Sequence, residues 1–351
     1  MANILERKFV VIVFYLFSSL FVFGVWAGGT TSIYNSVNGD PRSKVSDLIN
    51  GIAYKPFVER ALLPMMTRSV DTIVPASLKS GISNWLLGIP RFQREIFRLG
   101  WEEQYLFQYL IAFVFVYLSL FGSMFVIRCL YTTLYQTSLA LTNVIPMMAV
   151  LCLPVMFHAG THYIYDFPAM FFFTTGLLFM VQRKWLLFYL VYALGCINKE
   201  TTVLLIVAFV LIYYRSLNKP ALFKHISMQL LIFAITKTVS MIFFSNNPGN
   251  NLEFHFFGNF YNLIFPYTLS TLFFFVLFAI LILYELEKKP FVLRQAFVLI
   301  LPFVALTFTF GWIEETRDMY EIFPVVFLLL AHTIFFSIFK IPYSVKALPA
   351  Q

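Results

Sequence analysis

The chain has 351 residues, of which 60% are hydrophobic, 19% aromatic and only 12% charged, and its mean hydropathy is +0.80. Soluble domains carry about twice that share of charge, so composition excludes them, and repeated apolar stretches near 20 residues indicate a polytopic membrane protein. The net charge of +8 then reads as basic loops on the cytoplasmic side of a membrane, and nucleic acid is excluded as a partner.

Arg7 and Lys8 precede the first apolar run, Phe9 to Ala27. The run is long and lacks an Ala-x-Ala cleavage pattern, so it reads as an uncleaved first span with the N-terminus inside. A segment from residue 28 to residue 104 follows on the outer side. Its amphipathic pieces fall at roughly Ser43–Ala53, Pro56–Val70 and Asn84–Arg98, broken by Pro41, Pro56, Pro64, Pro75 and Pro90. Apolar residues at helical spacing beside Arg60, Arg68, Arg91, Arg94 and Arg98 suit helices lying in the membrane interface. A second span is expected at Tyr105–Ile127, ending at Arg128, and a third at Leu139–Phe157, which contains Pro146 and Pro154. A polar loop with His158, His162 and Asp166 then leads into a fourth span, Phe167–Val181.

The next apolar run, Trp185 to Tyr214, is interrupted by Asn198-Lys199-Glu200. A charge at mid-bilayer costs roughly 2.5–3.5 kcal/mol on insertion scales, so its presence asks for a reason. Either one long helix carries the charges at its centre, or two short helices meet at a polar tip. Basic residues at both flanks (Arg183, Lys184 and Arg215, Lys219) favour the hairpin, with its tip facing outward. Later spans are expected at Ile226–Phe244, Leu263–Tyr284, Phe291–Phe310 and Met319–Phe339. The expected fold is therefore an all-α polytopic membrane protein of about ten transmembrane helices, one integral domain from 1 to 351, with both termini cytoplasmic.

Charge supports that topology. The inner segments hold thirteen bases (Arg7, Lys8, Arg128, Arg183, Lys184, Arg215, Lys219, Lys224, Lys288, Lys289, Arg294, Lys340 and Lys346) against three acids, Glu6, Glu285 and Glu287. Such an imbalance is the positive-inside pattern. Cys129, Cys152 and Cys196 lie in or beside apolar spans and have no metal-binding spacing, so they read as small buried hydrophobes.

In this topology the unusual polar groups fall on one face: Asp40 and Asp47, the loop from His158 to Asp166, Asn198 to Glu200, Asn246 to His255, and Glu314, Glu315 and Arg317. Carboxylates there are suited to deprotonating an acceptor, and Lys199, Arg317 and Arg60 to holding a phosphate. Plainer roles stand beside these. Asp166 before Phe167-Pro168 is a good helix N-cap. Lys199 and Glu200 can close the hairpin as an ion pair, and the acids from Glu314 to Asp318 can be a solvated loop. His158 and His162 have the spacing of a metal pair but no third histidine nearby. Lys237, inside an apolar span, either snorkels or pairs with an acid.

The first span, large outer segment with amphipathic helices, and many later spans with acids in outer loops resemble the GT-C superfamily of membrane glycosyltransferases. Local pieces resemble bacterial membrane proteins of that type: Tyr54-Lys55-Pro56-Phe57-Val58-Glu59-Arg60-Ala61-Leu62-Leu63-Pro64, Tyr165-Asp166-Phe167-Pro168, Asn198-Lys199-Glu200-Thr201, and Glu315-Thr316-Arg317 with Pro324. The resemblance implies transfer of a sugar, with inversion, from a polyprenyl-phosphate donor to a glycan or lipid acceptor outside the bacterial inner membrane. It implies a catalytic acid early in the first outer segment, matching Asp40 and less well Asp47, although Gly28-Gly29-Thr30 stands where many members carry an acidic doublet. Asp166 and Glu200 would orient acceptor or sugar, and Lys199 and Arg317 would neutralise the departing phosphate. Arg60, His158, His162 and Glu315 complete the expected substrate-binding set. No cofactor is indicated, and a divalent metal stays open as the alternative. The alternatives are a transporter or flippase of a lipid-linked sugar, and a non-catalytic subunit of a polysaccharide assembly complex.

Overall fold

In the computed structural model the described residues are 8–28, 38–157, 162–264, 269–313 and 315–346. The chain is nearly all helical. Its helices are α1 (Lys8–Gly28), α2 (Val45–Asn50), α3 (Leu62–Ile73), α4 (Ala76–Leu87), α5 (Pro90–Arg98), α6 (Leu106–Leu134), α7 (Leu139–Cys152) and α8 (Asp166–Val181). They continue as α9 (Trp185–Asn198), α10 (Leu204–Tyr213), α11 (Lys219–Phe243), α12 (Phe256–Ile264), α13 (Leu269–Leu283), α14 (Phe291–Phe297), α15 (Ile300–Phe310) and α16 (Phe323–Ala331). Two short strands, β1 (Tyr135–Gln136) and β2 (Ser344–Val345), pair antiparallel and tie the C-terminal stretch to the end of α6.

Among the described residues, five helical stretches are long and apolar enough to cross a membrane: Lys8–Gly28, Glu103–Leu134, Leu139–Met156, Lys219–Phe243 and Phe291–Phe310. Asp166–Val181, Trp185–Asn198, Glu200–Tyr213 and Phe323–Ile338 are apolar but shorter. By this measure the chain is a helical membrane protein. Several boundaries differ from those expected. The second span does not stop at Arg128, because the Arg128 guanidinium donates to the Asn143 side chain at 2.8 Å and the helix runs on to Leu134. The seventh begins earlier, at Lys219, where Asn218 accepts from the Ala221 N–H and Pro220 follows in the first turn, two ordinary start signals. Between α1 and α6 the amphipathic helices are α3 and α5, with α4, which has no buried residue, between them; the breaks fall at Val74–Pro75 and Gly88–Ile89.

The expected hairpin is present. The Tyr213 hydroxyl donates to the Met180 carbonyl at 2.7 Å and the Arg183 guanidinium sits over the Tyr213 ring, so the end of α10 returns to the start of α9. Glycines permit the close approach. A β-carbon on Gly195 would lie 2.7 Å from Thr202 Cγ2, and one on Gly176 would lie 2.7 Å from Leu205 Cδ1. Small residues at such crossings bring apolar helices together without help from the hydrophobic effect.

The chain shuttles between two ends. At one end, Lys346 meets Leu134, Gln182 meets Thr133, and Tyr189 meets His225. At the other, Thr316 donates to the Met156 carbonyl, the Ala61 N–H to the Ile197 carbonyl, and the Asn247 side chain to the Gly51 and Ala53 carbonyls. Trp26, near the end of α1, is fully buried there against Phe113 and Phe167. Every candidate site residue that is described lies at this second end.

Candidate functional site

The segment between α1 and α6 enters the site through a turn that its own acid closes. Asp40 Oδ1 accepts from the Arg42 N–H at 2.9 Å, capping the turn Pro41–Ser43. The Arg42 guanidinium folds back on the same carboxylate, with Nη2 to Oδ2 at 2.9 Å and Nε to Oδ1 at 3.2 Å. Its third nitrogen, Nη1, reaches Glu253 Oε1 at 2.6 Å. One guanidinium therefore joins two acids that lie more than 200 residues apart. The segment carrying Glu253 is held close by a backbone bridge between Lys55 and Gly249. Only glycine fits that position, since its φ is +90° and a β-carbon would fall 2.6 Å from the Lys55 carbonyl oxygen.

A column of rings supports three arginines. Phe57 stacks on Tyr163 (5.5 Å between centroids), and Tyr163 stacks on Tyr165 at 5.0 Å with planes 7° apart. Arg42 lies over Phe57 at 5.3 Å, Arg60 over Tyr165 at 4.6 Å, and Arg317 over Tyr163 at 4.1 Å. Each such contact contributes on the order of 0.5–2 kcal/mol, more where water is excluded. Burial pushes the Tyr163 hydroxyl up to about 12, so beneath Arg317 it stays a neutral donor.

Behind the rings is a buried charge network. Lys199 is extended (φ −158°, ψ 134°), between the end of α9 and the turn Glu200–Val203, which turns its side chain inward. Its ammonium lies 3.3 Å from Glu321 Oε1, 3.7 Å from Asp318 Oδ1 and 3.9 Å from Asp166 Oδ1. Arg317 Nη1 lies 3.9 Å from Asp166 Oδ2, and Nη2 pairs with Glu315. Thr201 donates to Glu321, fixing the carboxylate from the other side. Burial raises the Glu315 carboxyl above its ordinary value, against the opposing charge of Arg317. A neighbouring pair joins Arg60 to Glu200, with Nη2–Oε1 at 2.5 Å and Nε–Oε2 at 3.2 Å, while Arg60 Nη1 also donates to the Tyr165 hydroxyl.

The expected residues thus occupy two layers. Asp40, Glu200 and Arg60 sit at the rim, with side chains 16%, 33% and 14% exposed, whereas Asp166, Lys199 and Arg317 lie beneath at 0%, 2% and 7%. The plainer readings change as well. Asp166 is not an N-cap: it is the first helical residue, and its carboxylate accepts from the Tyr163 N–H behind it, at 3.1 Å. Lys199 and Glu200 do not pair with each other, because extended Lys199 and the turn that begins at Glu200 send them to different partners. Lys237 pairs with Glu59, and Ser240 one turn on donates to the Glu59 carbonyl. Glu315 and Asp318 belong to the network and are no solvated loop, while His158 and Glu314 fall outside the described residues.

His162 is buried against Trp26 and Phe157, and burial together with Arg317 lowers it to about 4, so it is neutral at physiological pH. Among the described residues no group of three or more His, Cys, Asp or Glu side chains is arranged to hold a metal ion. Asp47 lies in α2, near Lys44 and Glu102 and away from the Lys199 network. Sequence reasoning missed Arg42, Glu253 and Glu321. Glu321 carried a usable signal, an acid at the head of an apolar run, the same feature that marks Lys199. Glu253 was singled out only as part of the polar stretch Asn246 to His255, and Arg42 carried no signal, since it stands in an ordinary polar loop.

The chain matches no known protein family, no curated protein and no solved structure.

Proposed function

We propose that the chain is a membrane glycosyltransferase of GT-C type. It moves a sugar from a polyprenyl-phosphate donor to a glycan or lipid acceptor on the outer face of the bacterial inner membrane, in the assembly of surface polysaccharide or glycolipid. In this reading ten helices cross the bilayer, both termini are cytoplasmic, and the end carrying Asp40, Glu200 and Arg317 faces out. The observation that carries the reading is the gathering of carboxylates and guanidiniums from four separate stretches, 40–60, 162–166, 199–201 and 315–321, at one end of an apolar helix bundle. That is the placement a reaction between an amphiphilic donor and a polar acceptor requires.

The reaction is one displacement. The acceptor hydroxyl oxygen bonds to the anomeric carbon as the bond from that carbon to the phosphate oxygen breaks, with inversion. Asp40 takes the hydroxyl proton, and the polyprenyl phosphate departs with the electron pair and a further negative charge. Arg60 at the rim stabilises that charge, while Arg317 stays paired behind the ring column and braces Tyr163. Glu200 orients Arg60, and Asp166 orients Arg317.

The test is transfer by purified protein in lipid vesicles, supplied with radiolabelled polyprenyl-phosphate hexoses and pentoses and with glycan acceptors. Labelled glycan and free polyprenyl phosphate are expected, and Asp40→Asn should slow their appearance by about 10²–10⁴-fold, the usual worth of a positioned base. No transfer from any donor, together with movement of the intact lipid-linked sugar between leaflets, would replace this reading with a transporter. Topology is checked independently: Asn198 is itself fully buried, so the probe is a cysteine at exposed Leu252, beside Glu253 at the same end, in a background without the native cysteines. It should react with an impermeant thiol reagent added outside intact cells, and reaction only from the cytoplasmic side would invert the arrangement.

A further inference from the structure

At the rim, the acid proposed as base is not free. Both Asp40 oxygens are held by Arg42, and the remaining face of that guanidinium is held by Glu253. A carboxylate with both oxygens in a two-pronged charge-assisted contact must leave that contact before a substrate hydroxyl can reach it. Arg42 is nevertheless the most exposed cation of the site, its side chain 44% exposed, and Phe57 supports the back of its guanidinium. It is therefore placed to exchange partners without unfolding anything.

Resting on the glycosyltransferase reading, we infer that Arg42 is an anion-binding residue that couples donor arrival to release of the base. The phosphate of a phosphate-bearing ligand takes the Arg42 fork from Asp40 and Glu253, and Asp40 is thereby freed to accept the acceptor's proton. The two acids compete with the phosphate for one guanidinium. This competition gives the site an order: without donor, Asp40 stays occupied and the acceptor is not activated.

Competition has a signature in binding that a merely structural fork lacks. Binding is measured by tryptophan fluorescence on the purified full chain, with three probes: inorganic phosphate, a polyprenyl phosphate, and vesicles of phosphatidylglycerol. Arg42→Gln should weaken binding of the effective probe by about tenfold or more, since a charge-assisted contact is lost. Asp40→Asn and Glu253→Gln should each tighten it by a few-fold, because a competitor is gone. The decisive comparison is Asp40→Asn in the Arg42→Gln background, where the tightening should vanish. Tightening that persists there would reduce the effect to bulk charge and overturn the exchange. Unchanged affinity in Arg42→Gln for all three probes would overturn Arg42 as the anion site. Polyprenyl phosphate binding far above the other two identifies the donor lipid, whereas equal response to phosphatidylglycerol or to inorganic phosphate assigns the position to a headgroup or to free phosphate. None of these measurements needs sugar transfer, so loss of the enzyme reading and loss of this inference are separately visible.

Discussion

Lys199→Met tests the buried network most directly, because it keeps an unbranched apolar stem and removes the ammonium. Three acids then lose a shared partner that lay 3.3, 3.7 and 3.9 Å away. At an effective dielectric near 20 each contact is an attraction of about 4–5 kcal/mol before other terms. Desolvation of the ammonium and repulsion among the acids cancel most of the total, and partial exposure of Asp318 screens its share. What survives is the measured cost of breaking a buried ion pair, about 3–5 kcal/mol. For a chain of this size about 2 °C of melting temperature accompanies each kcal/mol, so a fall of about 6–10 °C is expected. Thermal denaturation of the detergent-purified protein, followed by tryptophan fluorescence, is the assay. Adding Glu321→Gln to Lys199→Met neutralises the nearest acid and should recover part of the loss, a coupling that a double-mutant cycle isolates. A Lys199→Met protein that melts with the wild type, or a double variant no better than the single, would refute the reasoning.

Lys237→Met should lower the melting temperature by removing the partner of buried Glu59, and the further change Glu59→Gln should restore it. Failure of the second change to rescue would mean that Lys237 acts through packing. Gly195→Ala should cost about 1–3 kcal/mol in the same melt, because its β-carbon meets the branched Thr202 side chain at 2.7 Å. Pairing it with Thr202→Ser, which removes the methyl, should relieve the loss. His162 gives a pH dependence whose sign follows from burial. Held at about 4 when folded against 6.5 when unfolded, it is protonated more readily in the unfolded chain, so stability falls as pH drops from 6.5 towards 4. At about 1.4 kcal/mol for each tenfold in proton affinity, the full effect is about 3 kcal/mol. Melting curves of His162→Leu should therefore be flatter than wild type over that range, and parallel curves would remove His162 as the cause.

The helical character, the short hairpin and the gathering of the candidate residues at one end were legible in the sequence, because each rests on local pattern: apolar length, basic flanks, and charges too costly to leave unexplained. The same rule found Lys199 and left Lys237 with two open readings. Partner choice was not legible. Lys199 and Glu200 are adjacent in sequence, yet the extended backbone at Lys199 sends one to Glu321 and the other to Arg60, and nothing local decides that. Asp166 looked like a cap because an acid before Phe-Pro commonly is one. Here the helix begins at the acid itself, and the carboxylate turns back to Tyr163. The rings that carry the arginines, Phe57, Tyr163 and Tyr165, were hidden among 44 phenylalanines and 19 tyrosines.

Charge balance decides which cations can meet a phosphate. The buried network holds four carboxylates, Asp166, Glu315, Asp318 and Glu321, against Lys199 and Arg317, so its cations are already outnumbered. An arriving phosphate would have to displace an acid from a side chain that water scarcely reaches, leaving that acid buried and unpaired. Lys199 is therefore a structural charge that fixes the hairpin tip to the segment from Thr316 to Glu321, and the phosphate role expected of it passes outward. Arg60 and Arg42 lie at the rim, and each holds carboxylates that are themselves partly exposed and so can be released to water at small cost. The deep layer then sets the geometry of the ring column, and the rim layer, mounted on those rings, is where a ligand can change partners.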